Sequence, residues 1–400
     1  MSQQPNLNSH HSLNNADCAL MLPGGGARGA YQVGAVKAVW ELAHSSVNPF
    51  PIITGTSAGA INAAVLASHA HEFARGIERL EHFWGSMYCG RIFRSTPSAA
   101  LSSAWRWLSS MVVGGRFGRQ PKSLLDNQPL AQFLHHEFQR AGIQHAIDNG
   151  ALRGAAVTAS SYTSAQATTF FQAQQHIQPW QRTRRAGIAG TINADHLLAS
   201  AALPLLFPAR AIEHEYYGDG GIRQTAPLSP AVHLGARKIL IIGTRDEQET
   251  PTPQALPEYP GVGEIAGYML DVIFMDNLHA DLARLRRINR TLELLTPQQR
   301  QQTHLRPIHT LVLRPSQDLR EIARRHAHNM PPSVRYLLRS VGAWGQSMQL
   351  PSFLLFEAPF CRELIELGYS DTMNQRQAVL DFFAQTPATI DPGLDSSGLE

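Results

Sequence analysis

Cysteine is scarce in this 400-residue sequence. Cys18, Cys89 and Cys361 stand far apart, and an odd count at such spacing excludes a disulfide framework and a zinc-ligand pattern. Lysine is equally scarce: Lys37, Lys122 and Lys238 are the whole set, so arginine carries nearly all the positive charge. A net charge of +3 is too small to point to nucleic acid, and none is expected as a partner. No apolar run reaches the ~18–20 residues that span a bilayer. The polar first sixteen residues lack the basic cluster and apolar stretch of a signal peptide. The eighteen histidines show no metal-ligand spacing with acids or cysteines, so no metal or other cofactor is expected. Together these absences predict a cytoplasmic protein in a reducing compartment, with peripheral contact as its route to any membrane.

What is present is ordinary globular composition, 43% hydrophobic and 16% charged, with length enough for a large core. Residues 1–16 read as a disordered segment. Cys18-Ala19-Leu20-Met21-Leu22 reads as a buried strand running into Pro23-Gly24-Gly25-Gly26-Ala27-Arg28-Gly29. Val33, Val36, Val39, Trp40 and Ala43 recur at helical spacing after it. A second strand is expected at Pro51–Thr54 and a second helix from Ala60, so β-loop-α units with parallel strands fill the first seventy residues. Residues 72–150 read as mostly helical, with loops around Pro97 and Gly114-Gly115. Further strands are expected at 154–159, 167–171, 209–217, 238–243 and 307–313. Helices are expected at 196–200, 265–295 and over most of the chain from 316 to 383. No internal repeat is present.

The stretch richest in chemistry is Gly55-Thr56-Ser57-Ala58-Gly59, set between the second strand and the second helix. Strand, G-x-S-x-G, helix is the context of a nucleophile elbow, a sharp turn that pushes the serine hydroxyl out of the backbone. Gly55 and Gly59 keep Cβ atoms from colliding there. A serine hydroxyl needs a base to take its proton, and the oxyanion formed on attack needs prearranged donors. The glycine loop, Gly24-Gly25-Gly26-Ala27-Arg28-Gly29, offers such donors, because its amides lie at a helix start where negative charge is favoured. Arg28 either contributes to that site or pins the helix start.

The same loop matches G-x-G-x-x-G, but no acidic residue stands about twenty positions on, and no Gly-Lys-Ser/Thr follows. Nucleotide binding is therefore not expected. For the base, a triad would need a particular histidine, and none sits in a glycine-flanked turn late in the chain. Asp219 in Tyr217-Gly218-Asp219-Gly220-Gly221 is the sharper candidate, held on a tight turn after a strand; an ordinary Asp-Gly turn is the plainer reading of the same residues.

In this order, the glycine loop, the serine elbow and Asp219-Gly220-Gly221 resemble the patatin-like phospholipase family. Ser123–Leu130 and Ala199–Pro208 are similar to stretches of its bacterial members. The resemblance implies a three-layer α/β/α core with a mainly parallel central sheet, plus C-terminal helices. It implies a domain over 17–315, a helical extension over 316–385 packed on the core, and a flexible tail over 386–400. It implies a Ser57–Asp219 dyad, an oxyanion hole built from Gly24, Gly25, Gly26 and Arg28, an elbow framed by Gly55 and Gly59, and a base turn of Gly220 and Gly221. The substrate would be a phospholipid or other acyl-ester lipid, cleaved without metal. Pro23 stands where the family's loop usually begins with aspartate. A Ser-His-Asp esterase and a non-catalytic lipid-binding protein are the alternatives. The hydrolase reading also requires the two side chains to meet beneath the loop amides and to open on a cleft.

Two stretches bear on membrane access. Leu101–Val113, with Trp105, Arg106 and Trp107 among aliphatics, suits core packing first and an interfacial lid second. Arg284, Arg286, Arg287 and Arg290 suit a solvated helix face first and a contact for anionic head groups second. Oligomeric state is left open.

Overall fold

The computed structural model describes residues 16–44, 47–94, 123–138, 140–246, 261–303, 305–345 and 348–384. The expected loops around Pro97, Gly114-Gly115 and 251–260, the 101–113 segment, and both chain ends lie outside these residues. The chain begins with β1 (Cys18–Leu22), a 3-10 turn (Gly26–Gly29) and α1 (Ala30–Leu42), and repeats the unit with β2 (Ile52–Thr56) and α2 (Ala58–Ser68). Helices α3 (Phe73–Gly85), α4 (Cys89–Ile92), α5 (Gln128–Glu137) and α6 (Arg140–Asp148) follow. Next come β3 (Gly154–Ser161), β4 (Ala167–Ala173), β5 (Trp180–Arg182), β6 (Arg185–Ala189), α7 (Ala194–Ser200), β7 (Arg210–Ile212), β8 (Glu215–Asp219), α8 (Ser229–His233) and β9 (Lys238–Ile242). The C-terminal part holds α9 (Val262–Leu294), α10 (Pro297–Gln302), β10 (His309–Leu313), α11 (Leu319–His326), α12 (Pro332–Ser340), α13 (Gln349–Leu354), α14 (Ala358–Asn374) and α15 (Arg376–Ala384).

The strands form one sheet in the order β10-β9-β1-β2-β3-β4-β6-β5, with β8 also on β3 and β7 on β8. From β10 to β3 neighbouring strands run parallel. Side chains alternate across the sheet, as the two-residue period of a strand requires. Leu20, Leu22, Leu240 and Ile242 face a core shared with α1, α2, α14 and α15. Ala19, Met21, Ile239 and Ile241 face a second core closed by Leu228 and Leu234 of the α8 region and Leu278 and Leu282 of α9. The result is the expected α/β/α sandwich, buried on both faces, as parallel sheets are.

The structure departs from the sequence pattern at two hairpins. The strand expected over 209–217 is a hairpin, β7 with β8, turned at Glu213, which takes a positive φ of 51°. The β5–β6 hairpin was not anticipated. It is short, partly exposed and rich in arginine, so it carries no alternating apolar signal. Helix α14 lies tightly on α1: Tyr31 Oη donates to Asp371 Oδ2 at 3.2 Å, and Tyr369 Oη donates to Glu41 Oε2 at 2.7 Å. Arg286, Arg287 and Arg290 are exposed on α9, and Arg284 pairs with Asp281 at 3.3 Å. Among the described residues no helix is long and apolar enough to cross a membrane.

Candidate active site

Sheet register brings the candidate residues together. Leu22 at the end of β1 pairs with Gly55 at the end of β2, so the glycine loop and the serine elbow leave the sheet side by side. On β3, Thr158 is the partner of Thr56, the last residue of β2. The next residue of β3, Ala159, is the partner of Asp219, the last residue of the antiparallel strand β8. Strands β2 and β8 therefore meet end to end along one edge of β3. Ser57 and Asp219 are the residues at that junction.

Glycine at two positions lets these segments touch. A Cβ on Gly59 would lie 2.1 Å from Leu22 O and 2.6 Å from Pro23 O, so the first turn of α2 is pressed against the glycine loop. A Cβ on Gly220 would lie 2.1 Å from Thr158 O and 2.8 Å from a Thr56 methyl, so the base turn is pressed against the elbow strand. Gly59→Ala is expected to cost ~1–3 kcal/mol through this overlap, seen as a lower Tm by calorimetry, with turnover lost by more than stability alone explains.

Ser57 sits at φ 58°, ψ −131°, a conformation that L-residues rarely adopt. Strain of this kind costs of order 1–3 kcal/mol and persists where the surroundings over-determine it. Here the Ser57 N–H donates to Ser200 Oγ at 2.9 Å, and Ser200 Oγ donates to Thr158 O at 2.6 Å. Gly55 closes β2 under the first turn of α2, where a Cβ would meet Gly59 O.

Asp219 is fully buried. Its Oδ1 accepts from Gly221 N–H at 2.9 Å, while Oδ2 is buried with no hydrogen-bond partner of normal geometry. Burial pushes its pKa up to about 7, against the smaller opposing effects of the Ser57 hydroxyl and the Gly221 amide. The sequence suggests a weak base, with an ordinary carboxylate pKa near 3.9. Desolvation corrects that, and an acceptor poised near neutrality is the better match for general-base work. Among the described residues, the groups that lower the pKa of this carboxyl are the Ser57 hydroxyl and the Gly221 amide.

In the glycine loop, Gly24 O accepts from Thr244 Oγ1 at 2.8 Å and Gln32 Nε2 donates to Pro23 O at 2.8 Å, so the loop is pinned from the segment after β9 and from α1. Gly25 packs on Thr244, and Gly26 lies beneath the Phe353 carbonyl. The amides of Gly25, Gly26 and Ala27 begin the turn that leads into α1, where a helix leaves N–H groups without intrahelical partners. Pro23 costs the loop nothing here, because its carbonyl does the anchoring. Arg28 is held by several contacts. Its Nε and Nη2 donate to Ser352 Oγ at 3.1 and 2.6 Å, its guanidinium stacks on the Phe353 ring at 4.0 Å, and Nη1 lies 3.5 Å from Asp271 Oδ1. It ties the loop to α13 and α9.

Ser200 carries no pattern signal of its own: it ends a short helix that also holds Asp195 and His196. Its one signal was the Ala199–Pro208 stretch. Both side chains are buried: Ser57 is 2% exposed and Asp219 0%. A cavity of about 460 Å³ lies elsewhere, at the C-terminal ends of β9 and β10, lined by Asp246, Arg314, Ser316 and Asp318 among others.

Comparison with known proteins bears on this arrangement. A family model described as patatin-like phospholipase matches residues 20–232. The chain is 31% identical to lysophospholipase nte1 of Aspergillus terreus over an alignment that covers 28% of this chain and 10% of that protein. It therefore spans about a tenth of the length of the curated relative it matches. Among solved structures, VipD from Legionella pneumophila aligns with a TM-score of 0.33 and 11% identity, covering 92% of this chain and 88% of that one. The type III effector protein ExoU aligns with a TM-score of 0.35 and 15% identity, covering 90% of this chain and 53% of that one.

Proposed function

This chain belongs to the patatin-like phospholipase family, and on that premise we propose that it hydrolyses fatty-acyl esters of phospholipids or related lipids through a Ser57–Asp219 dyad. Asp219 takes the Ser57 proton as Oγ attacks the ester carbonyl. The amides of Gly24, Gly25 and Gly26 receive the oxyanion. Collapse of the tetrahedral adduct breaks the ester C–O bond, and Asp219 gives its proton to the departing alkoxide oxygen, which leaves as the alcohol. Water, deprotonated by Asp219, then attacks the acyl-serine; the second adduct collapses, Asp219 returns the proton to Ser57 Oγ, and the fatty acid leaves. The observation that carries this reading is the meeting of β2 and β8 on one edge of β3, with a strained serine against a buried carboxyl whose pKa is about 7.

The burial that strengthens the base also keeps bulk water from it. Exclusion of water favours the chemistry once the substrate is seated. We read residues 17–315 as the hydrolase domain, closed by β10, and 316–385 as a helical extension that braces it. The ties of Arg28 to Ser352 and of α14 to α1 support this division. Because the substrate resides in a bilayer, working contact with the membrane is peripheral.

The test is a panel of phospholipid and lysophospholipid vesicles incubated with the protein, with released fatty acid read by mass spectrometry. Release from at least one class is expected. Inertness toward every lipid and toward soluble short-chain esters would favour the non-catalytic alternative.

A further inference from the structure

We infer that the turn formed by Ser200, Ala201 and Ala202 at the C-terminus of α7 is the clamp that sets the nucleophile against its base, with Ser200 as a positioning residue. This rests on the dyad proposed above. The Ser200 hydroxyl bridges two strands: it accepts the Ser57 N–H at 2.9 Å and donates to Thr158 O at 2.6 Å. Two residues on, the Ala202 carbonyl accepts the Asp219 N–H at 2.9 Å. One short turn thus holds the backbone of both members of the dyad, which arrive on different strands.

The chemistry of each contact explains the residue type. Ser57 stands at the turn between β2 and α2, and its amide has a side-chain oxygen, Ser200 Oγ, as partner. A buried amide must be paired, and a hydroxyl is small enough to accept from it while donating elsewhere. Ser200 is wholly buried, so no water takes over either bond if it is removed. The Asp219 amide, at the end of β8, finds a carbonyl released by the end of α7. Both ends of the clamp are held in turn. Asn193 caps the N-terminus of α7 by accepting from Asp195 N and His196 N, and Asp195 pairs with Arg210 of β7 at 2.6 Å. Downstream, Leu205 O and Leu206 O accept from Leu124 N and Leu125 N at 2.8 Å each. The clamp touches no substrate. Its work is to fix the angle at which Oγ faces the carboxylate and the loop amides.

The experiment compares Ser200→Thr, Ser200→Cys and Ser200→Ala with the wild type. Turnover of a soluble short-chain ester is measured per serine titrated by a fluorophosphonate, which removes any unfolded fraction from the comparison. Clamping predicts that kcat per titrated site follows acceptor strength, with Thr near wild type, Cys lower and Ala lowest. The Ala loss is expected to be ~10–10²-fold, the scale of a small misplacement of reacting groups. KM and the midpoint of the pH profile stay where they are. A purely packing role predicts the order of side-chain volume instead, with Thr worst and Ala mildest, and that order overturns the clamp. So does wild-type kcat per titrated site in Ser200→Ala. Ser57→Ala is assayed alongside. If it still turns over the ester, the dyad is wrong and the clamp falls with it; if it is inert while Ser200→Ala is unimpaired, the clamp alone falls.

Discussion

Ser57→Ala is expected to abolish fatty-acid release, by at least ~10⁴-fold, since losing the nucleophile of a serine hydrolase costs on the order of 10⁶ in kcat. Labelling by a fluorophosphonate should vanish with it. The fold should persist, because the bond that holds this position is made by the backbone N–H to Ser200 Oγ, not by the Ser57 side chain. Alanine keeps the disfavoured φ of 58°, so the strain remains and Tm should hardly move. Ser57→Gly removes it, and should be both inactive and more stable by ~1 kcal/mol or more. That pairing of lost activity with gained stability marks a residue held in place for chemistry. Hydrolysis surviving in Ser57→Ala, with the protein folded by circular dichroism, would point to another nucleophile.

The second large effect belongs to Asp219→Asn. An amide keeps the shape and can still accept from Gly221 N–H, but it cannot take a proton from Ser57. Turnover should fall by roughly 10²–10⁴-fold, the usual contribution of a positioned base. The wild type should show kcat/KM rising with pH through about 7, where Asp219 loses its proton. Stability should move the other way. Burial raises the folded-state pKa to about 7, above the 3.8 of an exposed carboxyl. Between those values the native state holds a proton that the unfolded chain has lost. The contribution of Asp219 to native stability is therefore greatest below about pH 4, declines as pH rises toward 7, and is flat beyond. Asparagine has no charged form to bury, so its Tm should exceed that of the wild type at pH 8 and match it near pH 4. A variant with lower Tm at pH 8, or with near-normal turnover, would remove Asp219 as the buried base.

Much of this site was legible in the sequence because it is built from local rules. Leu20, Leu22, Leu240 and Ile242 sit in near-continuous apolar runs, the mark of parallel strands buried on both faces. The glycine loop and the elbow announce backbone that must turn sharply or approach another chain segment, and Gly59 does so against Leu22 and Pro23. Other features depend on contacts that no local pattern encodes. Asp219 is a stronger base than its residue type suggests because tertiary packing desolvates it. Arg28 turns toward Ser352, 324 residues away in sequence, so its role is set by where α13 docks. Ser200 gains its part only when α7 lands beside the elbow. The β5–β6 hairpin, with Arg182 opposite Arg185, is stabilised by its place at the sheet edge and not by apolar alternation.

The central claim is that a buried carboxylate activates one strained serine, and the pH dependence of fluorophosphonate labelling tests it most directly. In the wild type, tandem mass spectrometry should find the adduct on Ser57, formed at a rate that climbs with pH through about 7. In Asp219→Asn that climb should be absent and the rate low throughout. Adduct on a different residue, or an Asp219→Asn profile that overlays the wild type, would contradict the account.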